Sequence, residues 1–97
     1  GIYGVEVVIE GEQEVRHGLL NIGFNPTIPN DYPKLSVEVY ILDFDRDIYG
    51  KELLVKIKKY MRPEKKCSGL EELKELIHSD VVTWRRYLGE NSIGIKR

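Results

Sequence analysis

Ninety-seven residues, 41% hydrophobic and 32% charged, allow one domain with one compact core and exclude a disordered chain. A net charge of −1 argues against a nucleic-acid binder, and no run approaches the ~20 apolar residues that span a bilayer. Cys67 is the single cysteine, so an internal disulfide and a cysteine metal cluster are excluded, and the chain reads as soluble and cytoplasmic.

The chain enters a strand pattern at once. Tyr3, Val5, Val7 and Ile9 alternate with Gly4, Glu6, Val8 and Glu10, the period-two signature of a half-buried strand. A chain that opens inside a strand, without methionine, reads as a piece of a longer polypeptide. Residues 11–14 form a turn and 15–22 a second strand, which makes a hairpin. Residues 23–34 read as loop, because Pro26, Pro29 and Pro33 fix φ and remove amide donors. Residues 35–42 form a third strand, with Val37, Val39 and Ile41 on one face and Ser36, Glu38, Tyr40 and Leu42 on the other. A turn at 43–47 leads into a long fourth strand, 48–60, with Leu53, Val55 and Ile57 on one side.

Strands joined by hairpins, with no intervening helix, predict a mainly β fold: an antiparallel sheet or small barrel over residues 1–60. Ser68-Gly-Leu-Glu71 has the spacing of a capping box. Leu70, Leu73, Leu76, Ile77, Val81, Trp84 and Leu88 follow at helical spacing, with Gly89 as C-terminal cap. The pattern predicts one helix over 68–88 that packs across the sheet and closes one end of the barrel, with Trp84 and the leucines as packing residues. Residues 90–97 read as a frayed tail.

Charge is uneven along the chain. Residues 1–50 carry nine acids and three bases, and residues 51–97 carry twelve bases and seven acids. This suits a local anion site better than a long polyanion track, although a solvated lysine face is the plainer explanation. His17 and His78 share no ligand spacing. Glu38 is a carboxylate at a fixed place on a strand, as a general base requires, though solvent-facing strand glutamates are commonplace. Arg62, in Met61-Arg-Pro-Glu-Lys-Lys66, offers a planar cation that can stack on a ring or pair with an anion, and surface charge is its bland alternative. No Gly-x4-Gly-Lys phosphate loop occurs.

Taken in order, Asn21-Ile-Gly-Phe-Asn-Pro-Thr27, Glu38-Val-Tyr-Ile-Leu-Asp-Phe44, Asp47-Ile-Tyr-Gly50, Arg62-Pro-Glu-Lys65 and the capped helix resemble a riboflavin kinase. The resemblance runs from Gly1 to about Leu88. It implies a small antiparallel riboflavin-kinase-like β-barrel closed by one C-terminal helix, and ATP-dependent phosphorylation of riboflavin to FMN with Mg2+. Glu38 matches the Glu of the family's Glu-x-x-Ile motif, the catalytic base for the ribityl 5′-hydroxyl. Ile41 and Tyr49 match nucleotide-contacting positions, and Arg62 and Lys65 match flavin-contacting ones. Asn25, Pro26 and Thr27 fall in the flap loop, and Cys67 stands where the family usually has an aromatic residue that helps to enclose the flavin.

The family's Pro-Thr-x-Asn motif, which holds magnesium and phosphates, and its Gly-rich phosphate loop belong further toward the N-terminus and are not in this sequence. The resemblance therefore implies a domain whose first strand and phosphate loop lie outside these residues, with the Mg2+ ligands upstream and no metal ligand assigned here. The acidic hairpin resembles the bacterial bifunctional type, in which an FMN adenylyltransferase (FAD synthetase) domain precedes the kinase on one polypeptide. Two other classes stay open. One is a non-catalytic flavin- or nucleotide-binding barrel, or an inactive fragment, favoured by the missing motif. The other is a small-barrel interaction or nucleic-acid domain, favoured by the basic 51–66 stretch and opposed by the net charge. An open sheet edge would also favour self-association.

Overall fold

The computed structural model describes residues 1–25 and 34–95. They form strands β1 (Ile2–Ile9), β2 (Arg16–Asn25), β3 (Lys34–Ile41) and β4 (Leu53–Arg62), followed by helix α1 (Leu70–Ile95). Two compact units result, Gly1–Glu64 with the sheet and Lys65–Arg97 with the helix.

The first unit is one antiparallel sheet in the order β3-β2-β1-β4. Its alternating sequence puts β1 between two partners: Val5 stands opposite Gly18 and Ile57, and Val7 opposite Arg16 and Val55. Side chains on one face share the core, where Val5, Val7, Ile9, Leu20 and Ile41 are buried and Tyr3, Ile22, Val39, Phe44, Ile48, Leu53 and Val55 pack against them. Two register shifts between β1 and β4 leave Lys58 and Met61 without a direct partner in β1, as β-bulges do. Among the described residues β3 and β4 are the outer strands, so the sheet is open here. A closed barrel would need those two outer strands to be joined through the ladder.

Three strand boundaries differ from the sequence expectation by two residues or more. β2 continues to Asn25, since Gly23 pairs with Ser36 and Asn25 with Lys34. The first residue that cannot donate is Pro26, so nothing stops the ladder sooner. β4 begins at Leu53 rather than 48, because residues 48–52 are used by a turn. There the Lys51 N–H donates to the Ile48 carbonyl at 3.0 Å and Gly50 has φ +85°, a conformation for which glycine carries no steric penalty. β4 ends at Arg62, the residue before Pro63, rather than at Tyr60.

The turn before β4 is fastened to the β1–β2 turn. Phe44 lies between two guanidiniums, Arg16 at 5.0 Å and Arg46 at 4.9 Å from the ring centroid. Arg46 Nη2 also donates to both carboxylate oxygens of Glu12, at 3.0 and 2.9 Å. Aromatic packing and paired charge thus hold two distant turns together.

In the second unit the helix start is shifted by one residue. The Leu73 N–H donates to Gly69 O at 3.1 Å, and Glu72, not Glu71, reaches back: the Ser68 hydroxyl donates to Glu72 Oε2 at 2.6 Å. The helix also passes through Gly89 to Ile95, so Gly89 is no cap and 90–95 no tail. A lone glycine costs a helix only about 1 kcal/mol, which does not end it. Trp84 is buried and stacks on Tyr87 at 5.5 Å, but Leu70, Leu73 and Ile77 are exposed, so the apolar stripe is only partly packed.

Two outcomes follow. Ile9→Ala, which empties a fully buried site, should cost about 2–5 kcal/mol in urea unfolding, whereas Leu54→Ala, 71% exposed, should stay within about 0.5 kcal/mol. The Ser68 hydroxyl, the Ser68 N–H and the Lys65 ammonium together hold the Glu72 carboxyl below the usual glutamate value. A lowered folded pKa favours the charged form, so its support of the helix start is full above the unfolded value and is lost as pH falls through the folded one. NMR titration of Glu72 should therefore give a midpoint below that of an ordinary glutamate, and Ser68→Ala, which removes the hydroxyl but keeps the N–H and Lys65, should move it part of the way back.

Candidate functional site

Register alone assembles a row across the sheet. Glu38 stands opposite Asn21, Asn21 opposite Ile2, and Ile2 opposite Arg62. Ladder partners share a face, and this face is the one turned away from Val5, Val7 and Ile9. Strands lie 4.7–4.9 Å apart, so the backbones at Glu38 and Arg62 are separated by about 14 Å, a carboxylate at one end and a guanidinium at the other.

Glu38, Asn21 and Arg62 are polar, while Ile2, between Asn21 and Arg62, is a buried apolar residue. Ser36, two residues from Glu38 on the same face, donates a long 3.4 Å hydrogen bond to Glu38 Oε1. Asn21 Oδ1 is buried without a hydrogen-bond partner, a costly state that invites a donor from outside. Arg62 Nη1 donates to the Pro63 carbonyl at 3.0 Å, which holds the guanidinium near the end of β4.

The remaining sequence candidates are dispersed. Ile41 is a core residue opposite Gly18, 7% exposed. Tyr49 is 98% exposed at the tip of the turn, where its N–H donates to Asp47 Oδ1 at 2.8 Å. Asn25 closes β2, while Pro26 and Thr27 lie outside the described residues. Lys65 and Cys67 belong to the second unit, where Lys65 Nζ is 3.9 Å from Glu72 Oε1 and Cys67 is a half-buried free thiol.

Sequence reasoning passed over Asn21 and Glu64, although both stand in motifs it singled out. Gly23 is where Glu64 shows itself: a Cβ built on Gly23 would lie 2.7 Å from Glu64 Cδ, so the Glu64 side chain fills the vacant place. Only the β2–β3 register, which sets Asn21 and Gly23 beside Glu38 and Ser36, reveals the connection. Among the described residues, no group of three or more His, Cys, Asp and Glu side chains could hold a metal ion, and no helix is long and apolar enough to cross a membrane.

Known proteins match this arrangement over most of its length. The flavokinase family, riboflavin kinase, matches residues 1–88. A bifunctional riboflavin kinase/FMN adenylyltransferase of Listeria monocytogenes is 39% identical over 90 residues, 93% of this chain and 28% of that protein. One from Bacillus subtilis is 36% identical over 88 residues, 90% of this chain and 27% of that protein. A crystal structure described as a macrolide-efflux protein from Streptococcus pneumoniae superposes with a TM-score of 0.77 at 28% identity, over 88% of this chain and 27% of the other. The chain thus spans about a quarter of the length of these relatives. With the family match running through the whole sheet and most of the helix, the chain belongs to the riboflavin kinase family.

Proposed function

We propose that this chain is the kinase part of a bifunctional riboflavin kinase/FMN adenylyltransferase, transferring the γ-phosphoryl group of ATP to riboflavin to give FMN and ADP. The observation that carries the proposal is the shared row of Glu38 and Arg62 on the face turned away from Val5, Val7 and Ile9. Its length, about 14 Å from strand spacing, is comparable with an extended riboflavin, ring at one end and terminal hydroxyl at the other.

Glu38 takes the proton of the terminal ribityl hydroxyl as that oxygen attacks the γ-phosphorus, and ADP leaves with the bridging oxygen. Being on a strand, the carboxylate needs little reorganisation to do so. Arg62 lies under the ring system, where a planar cation can stack; Lys65 and Cys67 are assigned to the flavin on the family resemblance alone. Ile41 and Tyr49 face the nucleotide. The side chain of Ile41 is spent in the core, so its backbone makes that contact, while Tyr49 is free to move onto a ligand. Asn25, Pro26 and Thr27 belong to the flap. Magnesium enters as part of the nucleotide substrate; among the described residues no group of three or more His, Cys, Asp and Glu could hold it.

The same proposal includes an adenylyltransferase domain in the parent polypeptide, a cytoplasmic location, and completion of the open sheet into a barrel. The short span of the relatives covered supports the first, and the outer strands β3 and β4 offer ladder edges for the last, or for a second copy.

The test is FMN formation, followed by chromatography, when the chain is given riboflavin, ATP and magnesium. Glu38→Gln should lower kcat by about 10²–10⁴ while riboflavin binding persists. Turnover at the unaltered rate in Glu38→Gln would overturn the assignment of the base. Riboflavin binding without any turnover would favour a non-catalytic flavin-binding module.

A further inference from the structure

Glu64 has no role in the mechanism above, yet its carboxylate has a definite seat in the sheet unit, over Gly23. Pro63 cannot extend the β4 ladder, and its Cα lies 3.6 Å from a Cβ built on Gly1, so the chain crosses the end of β1 there. Gly1 is bonded in both directions to Ile22 on β2. One residue further on, Glu64 reaches β2 itself and lays its carboxylate over Gly23. A Cβ at position 23 would push that carboxylate from its place.

Gly23 stands opposite Ser36 and diagonal to Glu38. Diagonal positions on paired antiparallel strands are about 7–8 Å apart. Two carboxylates therefore flank a short stretch of one face, with the Ser36 hydroxyl and the buried, unpartnered Asn21 Oδ1 between them. Hydrogen-bond acceptors dominate this patch. A phosphate or carboxylate ligand would be repelled there, whereas a neutral chain of adjacent hydroxyls supplies the missing donors.

We infer that Glu64, seated by Gly23, is a specificity-determining residue that accepts hydrogen bonds from the polyol chain of the acceptor substrate while Glu38 acts on the terminal hydroxyl. The inference rests on the kinase reading and adds to it the means by which the flavin's polyol, rather than its ring, is recognised. It also gives Gly23 a function: the glycine makes the notch that holds the carboxylate.

The test is quenching of flavin fluorescence on the full chain, with riboflavin and with lumiflavin, which keeps the ring but has a methyl group in place of the polyol. Glu64→Ala should weaken riboflavin binding roughly ten- to a hundredfold, the range for a lost hydrogen bond to a charged group, and leave lumiflavin unchanged. Glu64→Gln, which keeps size and shape, should show the same selectivity with a smaller loss. Gly23→Ala should reproduce the Glu64→Ala loss by pushing the carboxylate away, and should add nothing in a Glu64→Ala background. Unchanged riboflavin binding in Glu64→Ala, or an equal loss of both flavins, would overturn the inference. Failure of the unaltered chain to bind riboflavin at all would be a different result, and would bring down the kinase reading itself.

Discussion

The position of β1 between β2 and β4 is the constraint on which the rest depends. A strand paired on both edges has its backbone groups satisfied, and its side chains must then be divided between two faces. Val5, Val7 and Ile9 go to one face and are fully buried. Every partner in the ladder inherits the division, so the same pairing that builds the core fixes which residues of β2, β3 and β4 meet on the opposite face. Core and candidate site are two sides of one register.

The geometry accounts for a small part of the charge asymmetry of the sequence. Glu6 on β1 stands opposite Lys56 on β4, and Glu12 in the first turn binds Arg46 in the third. Arg46 itself belongs to residues 1–50, so of these two pairings only Glu6 with Lys56 sets an acid of the first half opposite a base of the second. Individually such exposed pairs contribute little. The Glu12, Arg46, Phe44 and Arg16 arrangement differs because a ring and two guanidiniums are packed together, which ties the exposed Tyr49 turn to the sheet.

Much of this was legible in the sequence, for physical reasons that can be named. Period-two alternation identified β1 and the faces of β3, because burial on one side leaves a pattern that no turn chemistry can mimic. Boundaries were less legible. The prolines of residues 23–34 were given too long a reach, since Pro26 interrupts a ladder only at its own position, and β2 runs to Asn25. Gly89 carried the mark of a helix end, but a glycine stops a helix only when the following residues also leave it. Glu64 was hidden for another reason: its partner is an absent side chain at Gly23, forty-one positions earlier, and a vacancy has no sequence signal until the strands are paired.

A site measured out in strand spacings has its own sensitivities. The distance from Glu38 to Arg62 is set by three ladder steps, so changes of side-chain volume in the core alter it little, because interstrand hydrogen bonds fix the spacing. A slip of β3 by a single residue would be far more damaging. It would carry Glu38 to the core face and bring Val37 or Val39 to the polar one, exchanging a solvated carboxylate for a buried one. The face that holds the polar row is thus protected by the cost of burying its own acid. The pressure that keeps Val39 and Ile41 against the core is the same pressure that keeps Glu38 on the opposite face.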